Sequence, residues 1–180
     1  MRVRLVPLER KDLEWVLAQR NVPNTYVMFN QPVPISMEHQ INWFETQVLT
    51  QRAFPYIVYL DNIKVGYVAL QNINWITRSA EVSHFIILEV NQDLTVYAHE
   101  CILSIAFNDL NLNRIHSICF NHNPVFEKLK RFGFKSEGTL RQSCFKEGKL
   151  GDSQMIAVLR EDWISLQESL KRKNNDDEKN

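Results

Sequence analysis

Three stretches of the chain hold residue types from which chemistry can be built. In SAEVSHFIILEV, residues 79–90, an apolar strand pattern is broken by Glu81 and His84. A carboxylate in that company is unusual, and two roles fit it: a general base, or a structural residue paired with Arg78. His84, further along the strand, is expected to share the face of Glu81, either as a second base or as a hydrogen-bonded histidine. The next stretch, NQDLTVYAHE, leads from the apolar run into the helix-like ECILSIAFNDL. Helix N-terminal amides, here those of Thr95 and Val96, point outward with partial positive charge and suit a phosphate. Loops of that kind usually carry glycine, yet none occurs between Tyr67 and Phe132, and Asp93 adds a carboxylate where an anion would sit. The triplet NHN, residues 121–123, is read either as ligand-binding asparagines or as a turn that caps the next helix.

Stepping outward, 180 residues of 44% hydrophobic content suffice for one buried core and are too few for two ordinary domains. A single domain is expected over residues 1–170, and the tail KRKNNDDEKN, residues 171–180, is expected to fray into disorder. Lys plus Arg equals Asp plus Glu at 21 each, so no global field favours nucleic acid or an anionic membrane. Cys101, Cys119 and Cys144 form no CxxC pair and read as reduced, buried thiols rather than metal ligands or nucleophiles. With no apolar core for a leader and no bilayer-length stretch, a cytoplasmic location is expected.

The elements that must position these residues follow from periodicity. RVRLVPL alternates as a strand, and ERKDLEWVLAQRN has helical spacing with Leu13, Val16 and Leu17 on one face. A loop with Pro23, Pro32 and Pro34 follows, and a second helix starts near Met37 behind the N-cap Ser36, with Ile41, Phe44 and Val48 recurring. FPYIVYL and KVGYVALQNI form a hairpin through Asp61 and Asn62. A strand through Glu81, a helix, the strand RIHSICF, a short helix stopped at Gly133, and two strands around Gly148 complete the chain. This order predicts an α/β fold, a mixed sheet of about seven strands flanked by helices.

That order, with QRNVPNTYVMF, PISMEHQINWFE, NINWITRSAEVSHFII, FNDLNLNRIHSI and KRFGFKSEGTLRQSCFKEGKLGDSQMIAVLREDW, resembles the GNAT superfamily of acetyl-CoA-dependent N-acetyltransferases from Leu5 to Trp163. The closer resemblance is to the branch containing the ribosomal-protein acetyltransferases and the amino-sugar acetyltransferases of flagellin pseudaminic acid synthesis.

The resemblance implies a twisted sheet with a splayed central strand pair, acetyl-CoA as cofactor, direct transfer and no metal. It implies Glu81, seconded by His84, as the base. The backbone of Ile86, Ile87 and Leu88 would face the acetyl carbonyl, with Leu94, Thr95 and Val96 at the anion-binding turn and Asn121 and Asn123 on the pantetheine arm. Arg20, Asn21, Met28, Phe29, His39 and Trp75 would meet a small-molecule amine. Two departures stand beside it: Asn91, Asp93 and Thr95 replace the loop glycines, and Leu129 stands where the family often has a tyrosine acid. Two functions therefore follow. One is an acetyltransferase acting on a nucleotide-linked amino sugar or, alternatively, a protein amine. The other is a binding module that has lost its cofactor. Met28, Phe29 and Trp43 also fit core packing, Arg20 fits a pair with Glu45, and a homodimer is left open.

Overall fold

The computed structural model describes residues 3–26, 33–86, 94–120, 125–146 and 148–177. The strands are β1 (Val3–Pro7), β2 (Phe54–Leu60), β3 (Ile63–Asn74), β4 (Ser79–Ile86), β5 (Arg114–Phe120), β6 (Lys135–Lys146) and β7 (Lys149–Leu159). The helices are α1 (Leu13–Arg20), α2 (Pro23–Tyr26), α3 (Met37–Trp43), α4 (Leu94–Ser104), α5 (Val125–Lys130) and α6 (Arg160–Asp177). All seven strands form one sheet in the order β1-β2-β3-β4-β5-β7-β6. Every neighbouring pair is antiparallel except β4 and β5, which the α4 crossover makes parallel.

Alternation along the strands divides the protein into two layers. One sheet face presents Val58, Val68, Leu70, Ala80, Val82, Ile115, Ile156 and Val158, and is covered by α4, Leu129 of α5 and Trp163 of α6. The buried positions of α4 are Leu94, Thr95, Ala98, His99, Ile102 and Leu103, a stripe at helical spacing that holds it flat on the sheet. Phe107, fully buried just beyond, lies 5.5 Å from the Trp163 ring. The opposite face presents Ile57, Tyr67 and Ala69, and is covered by Leu13 and Val16 of α1 and by Phe44, Ile41 and Trp43 in and just beyond α3.

Local chemistry explains the boundaries. Ser36 caps α3, its side chain accepting from the His39 amide at 3.3 Å. Gly133 ends α5 at φ +84°, a conformation that other residues adopt at a cost. The hairpin between β2 and β3 turns through Asp61 at φ +53°, with Leu60 and Ile63 in register. Two elements lack a sequence signal: α2 lies inside the proline-rich loop, and α6 starts directly after β7. A single large anchor, Trp163, and an acidic first turn of Glu161 and Asp162 suffice for α6, and neither gives a strong apolar period. The backbone stays helical through Asp177. Cys119 and Cys144 are buried and all three cysteines are free thiols. Among the described residues no helix is long and apolar enough to cross a membrane.

Candidate active site

The parallel pair β4 and β5 is where the sheet opens. Ser79, Ala80 and Glu81 pair with Arg114, Ile115 and His116. Beyond that rung β4 follows β3 as far as Ile86 opposite Gly66, while β5 follows β7 as far as Phe120 opposite Ser153. The two strands thus part after Glu81 and His116, which leaves backbone groups on facing edges unused by each other. This is the splayed pair expected from the family resemblance.

Glu81 and His84 do not share a face. Three positions separate them, an odd number, so alternation sends them to opposite sides. His84 lies with Ala80 and Val82 toward α4, its ring 4.4 Å from that of His99 in an edge-on contact. Burial, then the neighbouring His99 and Lys128, hold His84 well below the ordinary imidazole range. His99 is fully buried and held at about 4 by burial; its Nδ1 hydrogen-bonds the Thr95 carbonyl at 2.8 Å, one helical turn back. Both rings are therefore neutral at neutral pH.

Glu81 faces the α1–α3 side. Its partner is Asn72 rather than Arg78: the Asn72 Nδ2 donates to Oε2 at 2.8 Å. Asn72 sits at φ +53° in an irregularity of β3, between the Gln71 and Asn74 rungs. Asparagine tolerates this left-handed geometry better than most residues, and the kink re-aims its amide across to β4. His116, the register partner of Glu81, adds an imidazole on the same face that sequence reasoning passed over. Only the pairing of strands distant in sequence brings the two together.

Of the residues expected to meet the amine, Arg20 and His39 line a cleft of about 260 Å³, together with Val33, Pro34, Ile35, Gln40 and Trp43. Arg20, at the C-terminal end of α1, is half-buried near Tyr67 of β3. Burial raises the Tyr67 phenol, and the nearby guanidinium opposes that rise. Glu45 pairs with Arg10 at 2.7 Å, which replaces the expected pair between Arg20 and Glu45. Asn21 shapes the cleft wall: its amide donates to the Ile35 carbonyl at 2.8 Å and accepts from the Ile35 amide at 3.0 Å. Both ends of that side chain are engaged in the fold. Trp43 packs partly into the core below while also lining the cleft. Trp75 is half exposed in the turn from β3 to β4, edge-on to Phe54 at 6.4 Å, and it does not line the cleft. Met28 and Phe29 lie outside the described residues.

On the other face, α4 begins at Leu94, with Thr95 buried and Val96 partly buried against the core. Its first turn carries no acidic side chain, and helix N-terminal amides suit an anionic group. Ile86 closes β4 opposite Gly66. Ile87, Leu88, Asn91, Asp93, Asn121 and Asn123 lie outside the described residues. Leu129 is 1% exposed, a core residue packed under α4, and offers no proton.

A polar cleft thus lies on one face, the start of α4 on the other, and the opened strand pair between them. The acetyltransferase (GNAT) domain family matches residues 2–135. The chain is 27% identical to the spermidine N(1)-acetyltransferase of Escherichia coli K12 over 168 residues, 91% of this chain and 89% of that one. It is 26% identical to a putative ribosomal N-acetyltransferase of Bacillus subtilis over 105 residues, 57% of each chain. The crystal structure of spermidine N-acetyltransferase from Vibrio cholerae in complex with CoA and spermine superposes with a TM-score of 0.84 at 24% identity, covering 90% of this chain and 98% of that one. The chain belongs to the GNAT acetyltransferase family and is an acyl-CoA N-acyltransferase whose cofactor is acetyl-CoA.

Proposed function

We propose that the enzyme acetylates the primary amine of a small molecule that also carries an anionic group, a nucleotide-linked amino sugar being the fitting class. One observation carries this reading: the described lining of the cleft contains a half-buried guanidinium, Arg20, an imidazole, His39, and the Trp43 ring, and no carboxylate. Arginine in a partly desolvated wall recognises phosphate by paired hydrogen bonds, and an indole face suits a sugar or base. A cleft of about 260 Å³ holds one such group, with the remainder of the acceptor extending outward.

Acetyl-CoA supplies the acetyl thioester. Around it this chain's residues have separable roles. The first-turn amides of α4 at Leu94, Thr95 and Val96 would hold its phosphates, and the unpaired edge of β4 near Ile86 would align its acyl arm. Glu81, oriented by Asn72, takes the proton from the incoming ammonium, because a protonated amine has no lone pair with which to attack. Leu129 removes the tyrosine route for returning a proton to sulfur, which leaves water or the second amine proton to serve.

The relatives support a second reading, in which the acceptor is a polyamine, as their names state for them. A polyamine carries several positive charges, and the described cleft answers with a guanidinium in place of carboxylates. A protein amine is the third acceptor class, supported by the Bacillus subtilis relative. Initial rates with acetyl-CoA against nucleotide-linked amino sugars, spermidine and a peptide N-terminus separate them. The highest kcat/KM on the phosphorylated acceptor is the expected result. A preference for spermidine overturns the proposal in favour of the polyamine, and a preference for the peptide in favour of a protein substrate.

A further inference from the structure

Resting on the reading of Glu81 as base, we propose that His116 stores the proton that Glu81 collects, as a positioning residue that acts through the carboxylate. The geometry behind it is specific. His116 and Glu81 are the last paired residues of β4 and β5 and share the acceptor-side face, at the point where the strands part. The His116 Nδ1 is buried with no hydrogen-bond partner among the described residues, and the backbone of Ala80 beside the ring favours its protonated form. In the tautomer protonated on Nε2, Nδ1 carries the lone pair. A buried, unpaired acceptor is costly, and an imidazole that must receive a proton during each turnover accounts for its retention.

The surroundings set the ring for this task. Burial lowers the pKa of His116, with Arg114 on its own strand acting the same way, while Glu81 on β4 and Glu137 on β6 oppose it. Arg114 and Glu137 are joined as an ion pair with two parallel hydrogen bonds, so their charges largely offset each other. From β7 the facing residue is Ala157, without charge. The ring is neutral at neutral pH, and Glu81 is its register partner on β4.

The protons balance. The acceptor arrives as an ammonium and gives one proton to Glu81, which passes it to Nδ1 and returns to a carboxylate as His116 becomes an imidazolium. The freed amine attacks the thioester carbonyl; the C–N bond forms and the C–S bond breaks with its electron pair on sulfur. The second amine proton ends on that sulfur, giving the coenzyme A thiol. His116 then releases its proton to solvent through Glu81.

His116→Gln tests this, since the amide can keep a donor toward Ala80 but cannot accept the proton. The expected result is a loss of kcat by about a hundredfold or more, with the KM of the acceptor unchanged. The variant should also regain rate as pH rises toward the pKa of the acceptor amine, where free amine is already present. Glu81→Gln measured beside it should show the same loss, and the double variant no further loss, because the two act as a unit. Unchanged kcat and pH profile in His116→Gln, with Glu81→Gln impaired, overturns the proposal and leaves Glu81 as sole base. Full activity in Glu81→Gln overturns both. If His116→Gln does not fold, a histidine NMR titration of the wild type and Glu81→Gln replaces it. A lower His116 pKa in Glu81→Gln supports the coupling, and an unmoved pKa overturns it.

Discussion

Asn72 donates its side-chain amide to Glu81 at 2.8 Å from a left-handed backbone position, so a local irregularity of β3 fixes the orientation of the proposed base on β4. The two functions of Asn72, tolerating φ +53° and holding Glu81, can be separated by substitution. Asn72→Gly accepts the backbone conformation and lacks the amide; it should melt within a few degrees of wild type yet turn over several-fold more slowly. Asn72→Ala should lose rate as well as about 1 kcal/mol of stability, because alanine is disfavoured in left-handed geometry. Equal turnover of wild type and Asn72→Gly would separate Glu81's orientation from catalysis.

Arg20 should control acceptor affinity. Arg20→Gln removes the charge and the planar fork while keeping most of the stem, so KM for a phosphorylated acceptor should rise by about tenfold or more, a charge-assisted hydrogen bond contributing about 1.5–3 kcal/mol. The KM for acetyl-CoA should not change. If the enzyme prefers a polyamine, the same variant should bind it better, since a like charge has been removed.

Acid stability should report His99. Its folded pKa of about 4 lies below the ordinary 6.5, so between those values the unfolded chain binds the extra proton. The stability is therefore complete above about pH 6.5, falls as pH drops toward 4, and is lost by about 3 kcal/mol across that window. His84, shifted the same way, adds to the fall. Urea midpoints at successive pH values should show the slope, and His99→Leu should flatten it. An identical pH dependence in that variant would assign acid sensitivity elsewhere.

Asp93 should weaken cofactor binding. It directly precedes α4, whose described first turn has no acidic residue of its own. Asp93→Asn should tighten acetyl-CoA binding measured by titration calorimetry at low salt, and the gain should shrink as ionic strength rises and screens the charge. An equal affinity at every salt concentration would place the carboxylate away from the phosphates.

The strand-helix order, the N-cap at Ser36, the glycine stop at Gly133 and the hairpin at Asp61 were legible in the sequence because each depends on neighbours within a few residues. The family was legible for the same reason, since its motifs are local stretches in a fixed order. What the chain by itself left undetermined was long-range register. The expectation that His84 shares the face of Glu81 failed on strand parity, a fact already in the numbering. Their actual neighbours, His99 for one and Asn72 and His116 for the other, come from α4, β3 and β5. Of the two roles open to Arg20, the pair with Glu45 does not form: Arg10 takes Glu45, and Arg20 lies near Tyr67 of β3. Local spacing determines which element forms and which way its side chains alternate. Which side chains meet depends on where β4 and β5 stop pairing, and that rung is set by the competing pull of β3 and β7 on either side.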